Sequence, residues 1–170
     1  MPIPPATPHS PDEIWLSIRA SAERAAREEP MLASFLHATI LNHDTLEAAL
    51  SFHRAQKLDS PAAPALLVRE VIEEAFVSDP SIGEAIRCDL RAVNERDSAC
   101  PDHAVAFLFF KGFHALESYR ISHWLWQQQR RPLALFLQPA TQNNCKPGFR
   151  STFYRDPAGP VTRGSNPNQY

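Results

Sequence analysis

Seven histidines and three cysteines are the residues of this chain best suited to chemistry. Histidine changes charge near neutral pH and ligates metals through either ring nitrogen. His114 and His123 fall in one helical stretch. Nine residues at about 100° each put them on opposite faces, so they cannot share a metal. His37, His43 and His53 fall on separate helices or in a loop, His9 lies in the proline-rich leader 1–11, and His103 in the loop 94–104. Each reads as a surface or helix-packing histidine. Cys88, Cys100 and Cys145 form no CxxC pair and no Cys/His ligand spacing, so no metal site is expected. An odd count of three also fits reduced thiols rather than a disulfide framework. No GxSxG, GxGxxG or Walker A string is present. Spacing alone therefore yields no catalytic and no cofactor-binding residue. Glu73–Glu74 and Arg130–Arg131 read as solvated helix edges, the arginines favoured by the helix C-terminal dipole.

The elements that must position these groups are helical. Ser10, Pro11 and Glu13 predict a helix start with a capping box, and Ile14, Ile18, Ala22 and Ala25 continue it to about Glu28. Pro30 opens a second helix with Leu32, Phe35, Leu36, Thr39 and Ile40 as its apolar stripe. Asn42–Asp44 breaks it. Asp44 is expected to cap a third helix carrying Leu46, Ala49, Leu50 and His53. Ser60–Pro61 and Asp79–Pro80 predict two more starts. Residues 94–104 read as a loop holding Asp97, Cys100 and Asp102. One long helix is expected from Val105 to Gln128, with Phe109, Phe113, Leu116, Arg120 and Trp124 along one line. Gly112 inside it implies a close helix contact or a kink. Trp124 and Trp126, two positions apart, must face different sides. Residues 133–137 are a short apolar piece, helical or extended. No segment alternates with period two, so the expected fold is all-α, a helical bundle.

Length and charge narrow the class. The chain has 170 residues, 17 basic and 19 acidic, with a formal net charge of −2. That balance points to no nucleic acid partner. No apolar run approaches the ~20 residues of a membrane span, and the first residues lack the apolar core of a signal peptide. A cytoplasmic protein is expected. Residues 1–11 are proline-rich and read as a disordered leader, and residues 12–138 as one helical domain. Residues 139–170 carry five of the 16 prolines and three of the five glycines, and read as an unstructured tail.

Three strings carry a resemblance: "EPMLASFLHATILNHDTLEAALSFHRAQKL" (29–58), "DLRAVNERDSAC" (89–100) and "FKGFHALESYRISHWLWQQQRRPLALFLQ" (110–138). They resemble the N-terminal half of the serine acetyltransferases. The resemblance implies transfer of acetyl from acetyl-CoA to L-serine, giving O-acetylserine for cysteine synthesis. It implies a helical domain that assembles subunits as trimers paired into hexamers. In that family a β-helix of hexapeptide repeats follows and supplies a His–Asp general base. The one site residue carried across is Asp97, whose carboxylate matches the substrate-binding Asp of the family's "RDPA" motif and suits the serine ammonium group. Ser98 stands where that motif has proline.

The likeness stops at Gln138. Residues 139–170 contain no hexapeptide repeat, no "DHATG" string and no match to the tail that docks into cysteine synthase. On this reading the chain is truncated, lacks the acetyl-CoA groove and is expected to be inactive alone. The tail resembles out-of-frame sequence. The alternative is a non-catalytic oligomerisation module that joins full-length subunits.

Overall fold

A computed structural model describes residues 12–61 and 63–137. The expected leader and tail lie outside these residues. Among them are eight α-helices: α1 (Glu13–Glu28), α2 (Pro30–Leu36), α3 (Leu46–Leu58), α4 (Ala65–Ser78), α5 (Pro80–Arg96), α6 (His103–Phe109), α7 (Lys111–Gln127) and α8 (Arg131–Leu137). No named strand occurs among the described residues, and the all-α expectation holds.

The caps show how local chemistry sets the boundaries. Asp12, not Ser10, caps α1 by accepting from the Trp15 backbone N–H at 3.1 Å. Ser10 and Pro11 lie outside the described residues. Pro30 opens α2 as expected. α2 then widens into one π-helical turn, His37–Leu41, closed by the Asn42 N–H on the His37 carbonyl at 3.0 Å. Thr45, not Asp44, caps α3 through the Ala48 N–H. The Asp44 carbonyl instead accepts from the Trp15 indole at 2.9 Å, tying α1 to this loop.

α4 begins at Ala65, later than the Ser60–Pro61 pair suggested. Ser60 and Ala63 exchange backbone hydrogen bonds across a tight turn. Asp59 reaches forward to accept from the Ala65 N–H at 2.8 Å. Asp79 and Pro80 start α5 as expected.

The long last helix of the sequence reading is two helices. Phe110 is extended (φ −78°, ψ 107°) and separates α6 from α7. The break shifts the helical phase, so the expected apolar line holds only for Phe113 and Trp124, which are buried. Phe109 is 60% and Leu116 38% exposed, while Phe107, His114, Ile121 and Leu125 are fully buried. Gly112 lies in the first turn of α7, and a Cβ there would meet nothing within 4 Å. The close-contact expectation is thus incorrect. Gly112→Ala should raise stability by roughly 0.5–1 kcal/mol through helix propensity alone. Urea unfolding of the two proteins checks this.

The tryptophans divide as expected. Trp124 is buried, and Trp126 is half-exposed with the Arg131 guanidinium 5.2 Å from its ring centre. α8 settles residues 133–137 as helical. The core runs through every helix: Ile18, Ile40, Leu50, Ile72, Ile86, Phe107 and Leu125 are among its fully buried side chains.

Candidate functional site

Asp97 ends α5, where its backbone N–H still donates to the Val93 carbonyl. One carboxylate oxygen, Oδ1, accepts from the Ala99 N–H at 2.9 Å, and the Cys100 N–H donates to the Asp97 carbonyl at 2.9 Å. These two bonds form the turn that proline would otherwise rigidify, so Ser98 is compatible with it. The loop is pinned beyond that point. Cys100 is buried, and its thiol donates to the Asp102 carbonyl at 3.2 Å. Asp102 caps α6 through the Val105 N–H. Asp97 itself stays exposed. A carboxylate presented from a fixed turn suits a small cationic group such as an ammonium.

The histidines do different work from any the spacing suggested. His53 and His114, from α3 and α7, meet with ring centres 5.2 Å apart. His114 Nε2–H donates to the Phe107 carbonyl at 2.7 Å and His53 Nε2–H to the Leu108 carbonyl at 3.3 Å. Lys57 Nζ donates to the same Leu108 carbonyl and to His114 Nδ1, both at 3.2 Å. The last carbonyls of α6 have no intrahelical partners and are satisfied here by side chains. That is why the chain can break at Phe110, which packs against the core. Both rings are held neutral. Burial pulls His53 down to about 4, helped by the Lys57 charge, and burial pulls His114 down to about 3.

Sequence reasoning placed His114 and His123 on opposite faces, and the structure agrees: His114 is buried and His123 is exposed on α7. It did not bring His53 to His114, because only the turn from α6 to α7 does so. Neither His53 nor the doubly engaged His114 keeps a free role as a surface base. His9 lies outside the described residues. Among the described residues no group of three or more His, Cys, Asp or Glu could hold a metal.

Beside this pair lie two buried ionisable residues that spacing did not reveal. Arg54 on α3 and Glu117 on α7 are each 1% exposed or less. Arg54 Nη2 donates to Ser118 Oγ at 2.6 Å. Burial pushes the Glu117 carboxyl up to about 8, and Asp89 adds to the rise against the opposing charges of Arg120 and Arg54. Glu73, Glu74 and Arg130 lie at the surface as expected, but Arg131 opens α8 rather than closing a helix. Glu73 pairs with Arg69 at 2.7 Å and Glu74 with Arg130 at 2.6 Å.

A family model, serine acetyltransferase N-terminal, matches residues 14–118. The chain belongs to the serine acetyltransferase family. The serine acetyltransferase of Escherichia coli strain K12 is 52% identical over 125 residues, which cover 74% of this chain and 46% of that protein. The chain thus spans about half the length of the curated relatives it matches. Soybean serine acetyltransferase complexed with serine superposes with a TM-score of 0.77 at 44% identity, covering 81% of this chain and 56% of that one. A serine acetyltransferase in complex with CoA gives 0.75 at 48% identity, covering 78% and 56%. The helical fold described above is therefore the N-terminal part of the serine acetyltransferase architecture.

Proposed function

We propose that this chain provides the helical domain of a serine O-acetyltransferase of cysteine biosynthesis. The carrying observation is the family match over residues 14–118, which includes the Asp97 turn. In the reaction the serine hydroxyl oxygen attacks the thioester carbonyl of acetyl-CoA. The C–S bond breaks, and O-acetyl-L-serine and CoA leave. Asp97 would hold the serine ammonium group, which orients the hydroxyl. Relatives solved with serine and with CoA support both substrates.

The described helices supply binding and assembly rather than proton transfer. A general base needs a pKa near the working pH and contact with the substrate. His53 and His114 meet neither condition. The family resemblance places the base and the acetyl-CoA groove in the hexapeptide-repeat part of the enzyme instead. No described helix is long and apolar enough to cross a membrane, and the free thiols Cys88 and Cys100 suit the cytoplasm. Grafting residues 12–137 in place of the matching segment of the Escherichia coli relative tests the assignment. The chimera should release CoA from acetyl-CoA only when L-serine is present. A folded chimera without serine-dependent turnover contradicts it.

An assembly role rests on a separate observation. Tyr119, Trp126, Leu135 and Phe136 on α7 and α8 are each 43–52% exposed, and an open concavity runs between Tyr119, Ser122, His123, Trp126, Ala134 and Leu135. A face of this kind suits a second subunit. Light scattering should give a mass above the 19.1 kDa of one chain, and Leu135→Asp with Phe136→Asp should return it to the monomer. A wild-type monomer at every concentration contradicts this role.

A further inference from the structure

Arg54 is 1% exposed, yet its hydrogen bonding is incomplete. A guanidinium carries five N–H donors and keeps its charge throughout the neutral range. Nη2 is committed to Ser118 Oγ, whereas Nε and Nη1 reach no protein acceptor. Buried donors of charged groups are rarely left so. Arg54 and Ser118 are the polar side of a small cavity between α3, α4, α7 and α8, and Leu58, Ile72, Ile121 and Leu137 are its apolar side. About 10 Å³ of it is open to a water-sized sphere. That is room for a single water and too little for an organic anion.

We propose that this cavity is a binding site for one ordered water molecule, held by the Arg54 guanidinium and the Ser118 hydroxyl. The water oxygen accepts an N–H of Arg54. Ser118 Oγ already accepts from Nη2, so its own hydrogen is free to donate to the same water. A neutral water suits the site better than a halide, because the four apolar walls would strip an anion of its hydration.

Crystals of the full chain, one set soaked in bromide, test the site directly. The expected result is a solvent peak within hydrogen-bond reach of Arg54 Nε or Nη1, with no bromine anomalous signal there. A cavity without density, a bromide peak or a side chain filling the space overturns the proposal. Oxygen-17 relaxation dispersion gives a second reading by counting long-lived internal waters in solution. Arg54→Met should lose one relative to the wild type, and so should Ser118→Ala, which keeps the buried cation and guards against a misfolded Arg54 variant. An unchanged count in either variant with wild-type helical circular dichroism overturns the proposal.

Discussion

Acidification from pH 7 to pH 4 should weaken the helical domain through His53 and His114. In the unfolded chain each ring binds its proton near 6.5, but in the fold only at about 4 and about 3. The unfolded state therefore takes up protons first, and stability falls as the pH drops below 6.5. At 1.36 kcal/mol per unit of pKa difference, the two rings together withdraw about 6 kcal/mol by pH 4. The structural reason is the α6 terminus. Both Nε2–H groups are committed to carbonyls, and the Nδ1 of His114 accepts from Lys57. A second proton on His114 would face the Lys57 ammonium at that contact. Urea unfolding curves at several pH values measure the loss, and His114→Gln should remove about half of the histidine slope. A wild-type profile that stays flat between pH 6.5 and 4 contradicts this account.

Glu117 works in the opposite sense. Its carboxyl titrates near 4.5 when unfolded and at about 8 in the fold. The unfolded chain loses this proton first, so the fold is penalised as the pH rises from 4.5 and the penalty is complete above 8. Through this group alone stability declines by about 4 kcal/mol between pH 4.5 and 8. Set beside the histidines, this places the stability maximum near pH 6.5. It also returns about 3 of the 6 kcal/mol lost on acidification to pH 4. Glu117→Gln keeps the shape and abolishes the titration. The variant should no longer lose stability between pH 6.5 and 8, where Glu117 subtracts about 2 kcal/mol from the wild type, and its acid loss should roughly double. A variant with the wild-type pH profile would show that Glu117 is ionised in the fold.

Much of this architecture was legible in residue order. Asp79–Pro80 and Pro30 announce helix starts because capping is local chemistry. The Trp124–Trp126 spacing fixes opposite environments because helix geometry is regular. Other features depend on partners far along the chain. The break at Phe110 exists because His53, Lys57 and His114 complete the α6 carbonyls, and two of these come from α3. Gly112 looked like a packing constraint only while one continuous helix was assumed. The burial of Arg54 and Glu117 was not legible, because a charged residue in an amphipathic helix ordinarily marks its solvent face. Asp97 was found through the family motif rather than through spacing. The backbone bonds of Ala99 and Cys100 then explain how its turn forms with Ser98 in place of proline.

The role of Asp97 in serine binding is the centre of the functional account, and the chimera carrying residues 12–137 measures it. Removing a charge-assisted contact to the substrate by Asp97→Ala is expected to raise the KM for L-serine by about 10-fold or more. The KM for acetyl-CoA should stay as it was, because the proposed role of Asp97 is toward the serine ammonium group alone. An Asp97→Ala chimera with an unchanged KM for L-serine would contradict the account.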